Sequence, residues 1–198
     1  MEEPDPAAKP EQAPPHAPSL LRLALLFYGA LVGAALLWGA LAGRSLFYAS
    51  EAAAAAGAHP LRDVSVGLLA GAVVILLSRE FTRRSAWGEG MARALAQILG
   101  RRGWGECVLL AAVSGVAEEA FFRGAIQPAV GLVAASLIFG LAHFAPRRDL
   151  WPWTGFSLLA GLLLGILFDA TGNLIAPVVA HVLINAVNLR FISHRYAV

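Results

Sequence analysis

The sequence predicts an all-helical integral membrane protein with about six transmembrane helices and one further helix at the membrane surface. Of its 198 residues, 58% are hydrophobic and only 14% are charged, and the mean hydropathy is +0.66. Soluble domains are about half apolar and about a quarter charged, so this composition is typical of a chain that lies in lipid. Irregular backbone cannot face lipid without losing its hydrogen bonds, so we expect the membrane spans to be helices.

The N-terminal segment, residues 1–19, is rich in proline and contains no long apolar run. Such a segment buries too little apolar surface to offset the entropy of ordering it. It also lacks the basic start and apolar stretch of a signal peptide. The sequence therefore predicts a disordered tail over residues 1–19.

Six stretches are candidate spans, since about 20 helical residues cross a bilayer core about 30 Å thick. They are residues 20–42, 64–78, 106–127, 129–145, 154–170 and 174–192. The second stretch is short and is the weakest of the six. The third would be a clear span were it not for Glu118, Glu119 and Arg123. In the fifth, Gly161 and Gly165 predict close packing against another helix.

Residues 79–105 lie between the second and third candidate spans and carry six arginines. Their middle, GEGMARALAQIL, is typical of an amphipathic helix in the membrane interface, with Trp87 and Trp104 as headgroup anchors. If this segment is cytoplasmic, alternation of six spans places twelve of the fifteen basic residues on that side. The positive-inside rule then predicts that both termini are cytoplasmic.

Composition also argues against several classes of function. The sole cysteine, Cys107, leaves neither a disulfide framework nor a thiolate metal site. The net charge is only +2, and no basic block is interleaved with aromatic residues. A nucleic-acid-binding surface is therefore not indicated.

A cluster of polar residues inside the third, fourth and sixth candidate spans carries the chemistry. Its members are Glu118, Glu119, Arg123, His143, His181 and Asn185. An ionisable residue in the bilayer core costs about 2.5 to 3.5 kcal/mol, so we expect these groups to satisfy one another. Glu119 and Arg123 are four residues apart and predict an ion pair on one helix face. Glu118 points about 100° away from that face and is free to meet groups from other helices.

A carboxylate, two imidazoles and a carboxamide in one low-dielectric cavity can hydrolyse an amide. Glu118 can hold and deprotonate a water, and one histidine can share that water. The other histidine and Asn185, which lies four residues after His181, can donate hydrogen bonds to an oxyanion. Neither Ser114 nor Ser136 lies in a G-x-S-x-G motif, and serines in helices usually bond their own backbone. No H-E-x-x-H zinc motif is present.

Three short motifs resemble those of the CAAX protease and bacteriocin-processing family (CPBP, also called Abi). AEEAFFRG at 117–124 is similar to its E-E-x-x-x-R motif, FGLAH at 139–143 to F-x-x-x-H, and HVLIN at 181–185 to H-x-x-x-N. The order and intervals agree, and the resemblance covers residues 105–189. It implies an intramembrane endopeptidase in which Glu118 and His143 activate water while His181 and Asn185 form the oxyanion site.

The resemblance also implies supporting residues: Glu119, Arg123 and Phe139. Family members are described both as metalloproteases and as glutamate proteases that need no metal. Glu118, His143 and His181 would be the ligands if zinc were bound, and we favour a site without metal. Counting residues along the spans places His143 near the cytoplasmic face, with Glu118 and His181 nearer the opposite face.

On this interpretation the chain divides into four parts. Residues 20–104 hold the N-terminal transmembrane helices and the basic interfacial segment, and residues 105–192 form the catalytic core between the tails at 1–19 and 193–198. The expected substrate is a membrane-associated protein or peptide, and the expected location is a bacterial cytoplasmic membrane. Two other functions stay open: a non-enzymatic immunity or binding protein for bacteriocins, and a proton-linked transporter, although no internal repeat favours the transporter.

Overall fold

A computed structural model describes residues 20–197, and regular secondary structure within them is entirely helical. The tail predicted at residues 1–19 lies outside the described residues. The helices are α1 (Leu20–Ala42), α2 (Glu51–Ala56), α3 (Pro60–Arg84), α4 (Ala86–Leu99), α5 (Trp104–Glu119), α6 (Gln127–Val130), α7 (Leu132–Ala142), α8 (Trp151–Thr171) and α9 (Ile175–Arg195). A π-helical segment, Ala120–Ile126, joins α5 to α6, and a 3-10 turn, Arg148–Leu150, precedes α8.

Four helices among the described residues are long and apolar enough to cross a membrane. They are α1, α3, α9, and α8 together with its preceding turn. The all-helical membrane class is thus supported, whereas the predicted count of about six spans is not confirmed. The second candidate span, which the sequence made the weakest, is long enough to cross a membrane, because α3 extends over 25 residues. Pro60 lies in the first turn of α3, where a missing backbone N–H breaks no helical hydrogen bond. The cationic side chains of Arg83 and Arg84 interact favourably with the helix dipole at the C-terminal end.

The other two predicted spans differ from the expectation in their local structure. Residues 106–127 fall within a continuous helical stretch of α5, the π segment and α6. Residues 129–145 do not form a full span, because α7 has only 11 residues. Gly131, with φ of 84° in the left-handed region, separates α7 from α6. His143 takes the C-cap position at its other end.

The observed helix limits place Glu118 and His143 at a similar depth in the membrane, whereas counting residues along the predicted spans had placed them near opposite faces. Glu118 lies thirteen positions before Gly131, and His143 lies twelve positions after it. At 1.5 Å per residue, both side chains therefore sit about 18 to 20 Å from the turn at Gly131. The predicted difference in membrane depth between Glu118 and His143 was wrong. The fourth candidate span, residues 129–145, forms a helix that starts later and ends earlier than its apolar limits indicate.

The helix predicted in the arginine-rich segment is α4, and its existence is confirmed. The Ser85 hydroxyl caps it by accepting a hydrogen bond from the Gly88 amide at 3.4 Å. Its small and apolar side chains, Met91 and Ala92 among them, are buried against α3, α8 and α9. Trp87 stays 74% exposed. The apolar face thus packs on protein, and the position of α4 in the membrane interface stays a prediction.

Helix α9 is the centre of the bundle and packs between α3 and α5. Glycines on α3 permit a close approach: a Cβ added at Gly67 would lie 2.6 Å from the carbonyl oxygen of Ala176. Away from the polar cluster, buried Asp63 accepts hydrogen bonds from the side chains of Arg62 at 2.7 Å and Asn173 at 2.8 Å. This contact joins the start of α3 to the turn between α8 and α9.

Candidate active site

Three of the predicted catalytic side chains meet in the middle of the bundle. Glu118, near the end of α5, places its Oε2 atom 3.6 Å from Nε2 of His143 and 3.9 Å from Nε2 of His181. Both distances exceed a direct hydrogen bond. Within the described residues, this buried oxygen has no hydrogen-bond partner. The carboxylate oxygen therefore faces two imidazole nitrogens, at separations that a shared small ligand such as water can bridge.

The tautomer of His143 follows from its hydrogen bond. Its Nδ1 atom lies 2.8 Å from the carbonyl oxygen of Phe139, four residues earlier. A carbonyl oxygen only accepts, so Nδ1 carries the proton and donates. In the neutral ring, Nε2 then presents its lone pair toward Glu118. The F-x-x-x-H spacing therefore fixes which nitrogen of His143 faces Glu118.

Glu119 is fully buried and joins two groups rather than one. Its Oε2 atom lies 3.2 Å from Nε of Arg123, which confirms the predicted i, i+4 ion pair. Its Oε1 atom accepts a hydrogen bond from Nδ1 of His181 at 2.7 Å. The sequence pattern did not reveal this second contact, because it links two helices that are distant along the chain. Glu119 thus orients the ring of His181 as well as neutralising Arg123.

The π-helical segment and the first residue of α6 place two long donors against the backbone of α8. Arg123 donates from Nη2 to the carbonyl oxygen of Gly161 at 2.9 Å. One turn later, Gln127 donates from Nε2 to the carbonyl oxygen of Gly165 at 3.1 Å. A Cβ at Gly165 would lie 2.6 Å from Oε1 of Gln127. The close packing predicted at Gly161 and Gly165 is confirmed, and Gln127 is a contributor that the motifs did not indicate.

Phe139 is the packing element common to these groups. Its ring centroid lies 4.6 Å from that of His143 and 6.1 Å from that of His181. The guanidinium carbon of Arg123 lies 4.5 Å from the same centroid, within the range of a cation–π interaction. The aromatic ring therefore limits the rotamers of both histidines and covers the buried cation. This arrangement gives the supporting role predicted for Phe139 a physical basis.

Asn185, one turn after His181 on α9, is hydrogen-bonded to Ser114 of α5. Its Nδ2 atom donates to the Ser114 hydroxyl at 3.1 Å. Ser114 itself donates to the carbonyl oxygen of Ala111 at 3.2 Å, the backbone bond expected of a helical serine. One N–H of the Asn185 amide is thereby held, and the second remains for another acceptor.

Tyr28 is a site residue that sequence reasoning missed. It lies on α1, outside the three motifs, and lines the same cavity as Ser114, His143 and His181, within interaction range of Glu118. The available signal was a tyrosine inside an apolar 23-residue helix, since a buried tyrosine hydroxyl usually has a partner. Tyr28 therefore brings a phenolic hydroxyl to the cavity that both histidines and Asn185 line.

A cavity of about 400 Å³ reaches the polar cluster. His143, His181, Asn185 and Tyr28 all line it, together with mostly apolar side chains from α1, α3, α4, α8 and α9. Over residues 20–197, no group of three histidine, cysteine, aspartate or glutamate side chains is arranged to hold a metal ion.

Comparison with known proteins agrees with the motifs. Residues 101–187 match the family model described as "Type II CAAX prenyl endopeptidase Rce1-like". The matched model is one of the CPBP family, in agreement with the resemblance of the three motifs. All three motifs lie within the matched residues, whereas Tyr28 lies outside them. The family is one of CAAX-type proteases. The family match and the long apolar helices together support an integral membrane protein.

A curated relative is "Uncharacterized protein YpbD" of Bacillus subtilis (strain 168). It is 39% identical to this chain over 93 residues, which are 46% of this chain and 48% of the relative. The chain thus spans about half the length of the curated relative that it matches. No solved structure gives a significant match.

Proposed function

We propose that the protein is an intramembrane endopeptidase that hydrolyses a peptide bond of a membrane-associated protein or peptide. The observation that carries this proposal is the convergence of Glu118 Oε2 on Nε2 of His143 and His181, at 3.6 and 3.9 Å. The cavity beside these atoms has mostly apolar walls. Such walls favour a substrate that already lies in or at the membrane.

In the proposed reaction, Glu118 deprotonates a water while Nε2 of His143 accepts that water's other hydrogen bond. The oxygen attacks the scissile carbonyl and forms a tetrahedral intermediate. The proton held by Glu118 then passes to the nitrogen of the leaving amine as the C–N bond breaks. A carboxylate and an acceptor nitrogen both facing one position are the requirements for this step.

The oxyanion of the intermediate is proposed to bind His181 and Asn185. Asn185 supplies the N–H that Ser114 does not use. The Nδ1 proton of His181 is directed at Glu119. Donation from Nε2 to the oxyanion therefore requires the imidazolium form, which carries a proton on both nitrogens. A neighbouring carboxylate strengthens hydrogen bonds from such a cation. Glu119 would therefore support the oxyanion site through His181.

We further propose that no metal takes part, which a chelator titration and metal analysis of the purified protein would test. We expect turnover to be unchanged by chelator, and metal content to be well below one ion per chain. One zinc per chain, lost in both His143→Ala and His181→Ala and needed for activity, would overturn this part of the proposal.

The proposed location is a bacterial cytoplasmic membrane, with both termini in the cytoplasm. Leu20 at the start of α1 and Phe191 near the end of α9 line the same cavity, which supports a common side for the two ends. Cysteines introduced at Arg93 and Ser50, in a Cys107→Ala background, would test the orientation. An impermeant thiol reagent added to intact cells should label position 50 and spare position 93, and the reverse pattern would contradict the proposal.

The decisive experiment is cleavage of candidate membrane peptides by detergent-purified protein, compared with Glu118→Gln. We expect this variant to lose at least about 100-fold in turnover, because a general base contributes about that much or more. Its melting temperature should stay near that of the wild type. Glu89→Gln is the control, since Glu89 is exposed and pairs with Arg93 on the surface of α4.

Near wild-type turnover by Glu118→Gln would refute the glutamate mechanism. A purified protein that binds peptides tightly and cleaves none of them would favour the binding or immunity function instead.

A further inference from the structure

A second cavity, of about 250 Å³, lies where the loop between α4 and α5 meets the last turns of α9. It shares no lining residue with the cavity beside the polar cluster, so it is separate from the proposed active site. Three of its lining residues are arginines and none is acidic; they are Arg101, Arg102, Gly103, Arg190, Ser193 and His194. A concave surface lined by one sign of charge attracts a ligand of the opposite sign, here an anion.

Hydrogen bonds fix the walls of this cavity. Ser193 is fully buried; its hydroxyl accepts from the Arg102 amide at 2.5 Å and donates to the carbonyl oxygen of Gly100 at 2.7 Å. The Arg102 side chain donates from Nε to the carbonyl oxygen of Leu99 at 2.8 Å and from Nη1 to Oε1 of Glu106 at 3.0 Å. These bonds neutralise one of the three arginines and hold the loop against α9, so the site is formed before a ligand binds.

Arg190 brings a donor to the cavity that lacks an acceptor. Its Nε atom is buried and has no hydrogen-bond partner within the described residues. Its guanidinium carbon lies 5.8 Å from the ring centroid of Trp104, within the range of a cation–π interaction, which supplies no hydrogen-bond acceptor for Nε. A buried guanidinium N–H without an acceptor is costly. An anionic acceptor in the cavity that Arg190 lines would remove that cost.

The surface beside the cavity is apolar. Trp104, at the start of α5, is exposed, and so is Val108 one turn later on the same face. Tryptophan is typical of the headgroup level of a bilayer, with apolar side chains facing the acyl chains beyond it. A ligand that carries an anion at one end and hydrocarbon at the other therefore matches both the cavity and the adjoining face of α5.

We propose that this cavity binds the phosphate group of an anionic phospholipid whose acyl chains lie along α5. Guanidinium groups match phosphate oxygens in geometry and charge, and basic pockets between transmembrane helices bind anionic headgroups. A zwitterionic headgroup fits less well, because its own cation would meet the arginines. Arg190, Ser193 and His194 lie outside residues 101–187, so the family match does not assign this site. The proposal does not depend on proteolysis.

A lipid-binding measurement tests the site. Native mass spectrometry of the full chain in nonionic detergent gives the dissociation constant of the first bound lipid. The probes are phosphatidylglycerol and phosphatidylcholine with identical acyl chains. We expect phosphatidylglycerol to bind about 10- to 100-fold more tightly, the range for a charge-assisted hydrogen bond. Inorganic phosphate at an equal concentration should not displace it, since free phosphate has no acyl chains to bury.

Three variants assign the preference to this cavity. Arg190→Gln should abolish it, and Arg101→Gln should weaken it about 5-fold, the contribution of one arginine close to an anionic headgroup. Arg101 is exposed, so its variant keeps the test available if Arg190→Gln does not fold. Arg83→Gln is the control: it removes the same charge from an exposed arginine that pairs with Glu80 on α3, and the preference should remain.

Equal binding of the two lipids, or a preference that survives both Arg190→Gln and Arg101→Gln, would overturn the proposal. A preference lost equally in Arg83→Gln would also overturn it, because net charge and not this cavity would then decide the binding. Displacement of phosphatidylglycerol by an equal concentration of inorganic phosphate would assign the cavity to free phosphate and refute the lipid site.

Discussion

Glu119→Gln removes the charge of a carboxylate that is fully buried between Arg123 and His181. Breaking a buried ion pair by changing one partner costs about 3 to 5 kcal/mol, because the other charge stays buried and uncompensated. Arg123 keeps its hydrogen bond to the carbonyl oxygen of Gly161 and its contact with the Phe139 ring. We therefore expect the lower end of that range, about 3 kcal/mol, as the loss in free energy of unfolding.

The same substitution should lower turnover, because an amide holds the Nδ1 proton of His181 less strongly than a carboxylate does. A charge-assisted hydrogen bond is worth about 1.5 to 3 kcal/mol, which corresponds to about 10- to 100-fold in rate. Unfolding in a titration of mixed micelles with a denaturing detergent gives the stability, and peptide cleavage gives the rate. Adding Arg123→Met should recover most of the stability, since an uncharged pair leaves no buried charge, while turnover stays low.

Glu80→Gln is the matched control, because Glu80 and Arg84 form an ion pair with the same i, i+4 spacing at the surface. Its loss should be less than about 1 kcal/mol. If Glu119→Gln were as stable as the wild type, the ion-pair reasoning would be wrong. If the variant were unstable but kept full turnover per folded molecule, the role assigned to its contact with His181 would be wrong.

Three further substitutions test the rest of the site. Tyr28→Phe should lower kcat about 10-fold with little change in KM, because the phenolic hydroxyl near Glu118 is lost. Tyr196→Phe is the control, and a loss confined to KM would contradict the assignment. Asn185→Ala should lower turnover about 100- to 1000-fold, the usual loss for one oxyanion donor, and an unchanged kcat would exclude it from that role. Gly165→Ala should destabilise the fold by about 1 to 3 kcal/mol in thermal melts, because the added Cβ overpacks against Gln127. Gly155→Ala is the control and should leave the stability unchanged, since a Cβ there meets open space.

Sequence alone determined the helical membrane class and the members of the polar cluster. Composition and apolar run length decide whether a segment is stable in lipid, and both are local properties. The i, i+4 pair of Glu119 and Arg123 was equally predictable, since one helix fixes the distance between its own side chains. The turn-to-turn spacing also placed His181 and Asn185 on one face.

The helix limits and the contacts between helices were decided only by the tertiary structure. The apolar stretch 129–145 gave no sign that Gly131 and His143 would bound a helix of 11 residues, because turn formation and packing, not hydropathy, set those ends. The apolar face of α4 was interpreted as facing the membrane, since periodicity shows that a face is apolar and not what covers it.

Tyr28, Gln127 and the bond from Glu119 to His181 depend on which helices are neighbours in the bundle. Glu119 and His181 are 62 positions apart along the chain, yet their side chains lie 2.7 Å apart. Within one helix, covalent geometry fixes the distance between two side chains. Between helices, that distance is set by the packing of every side chain in the bundle, so no local pattern encodes it.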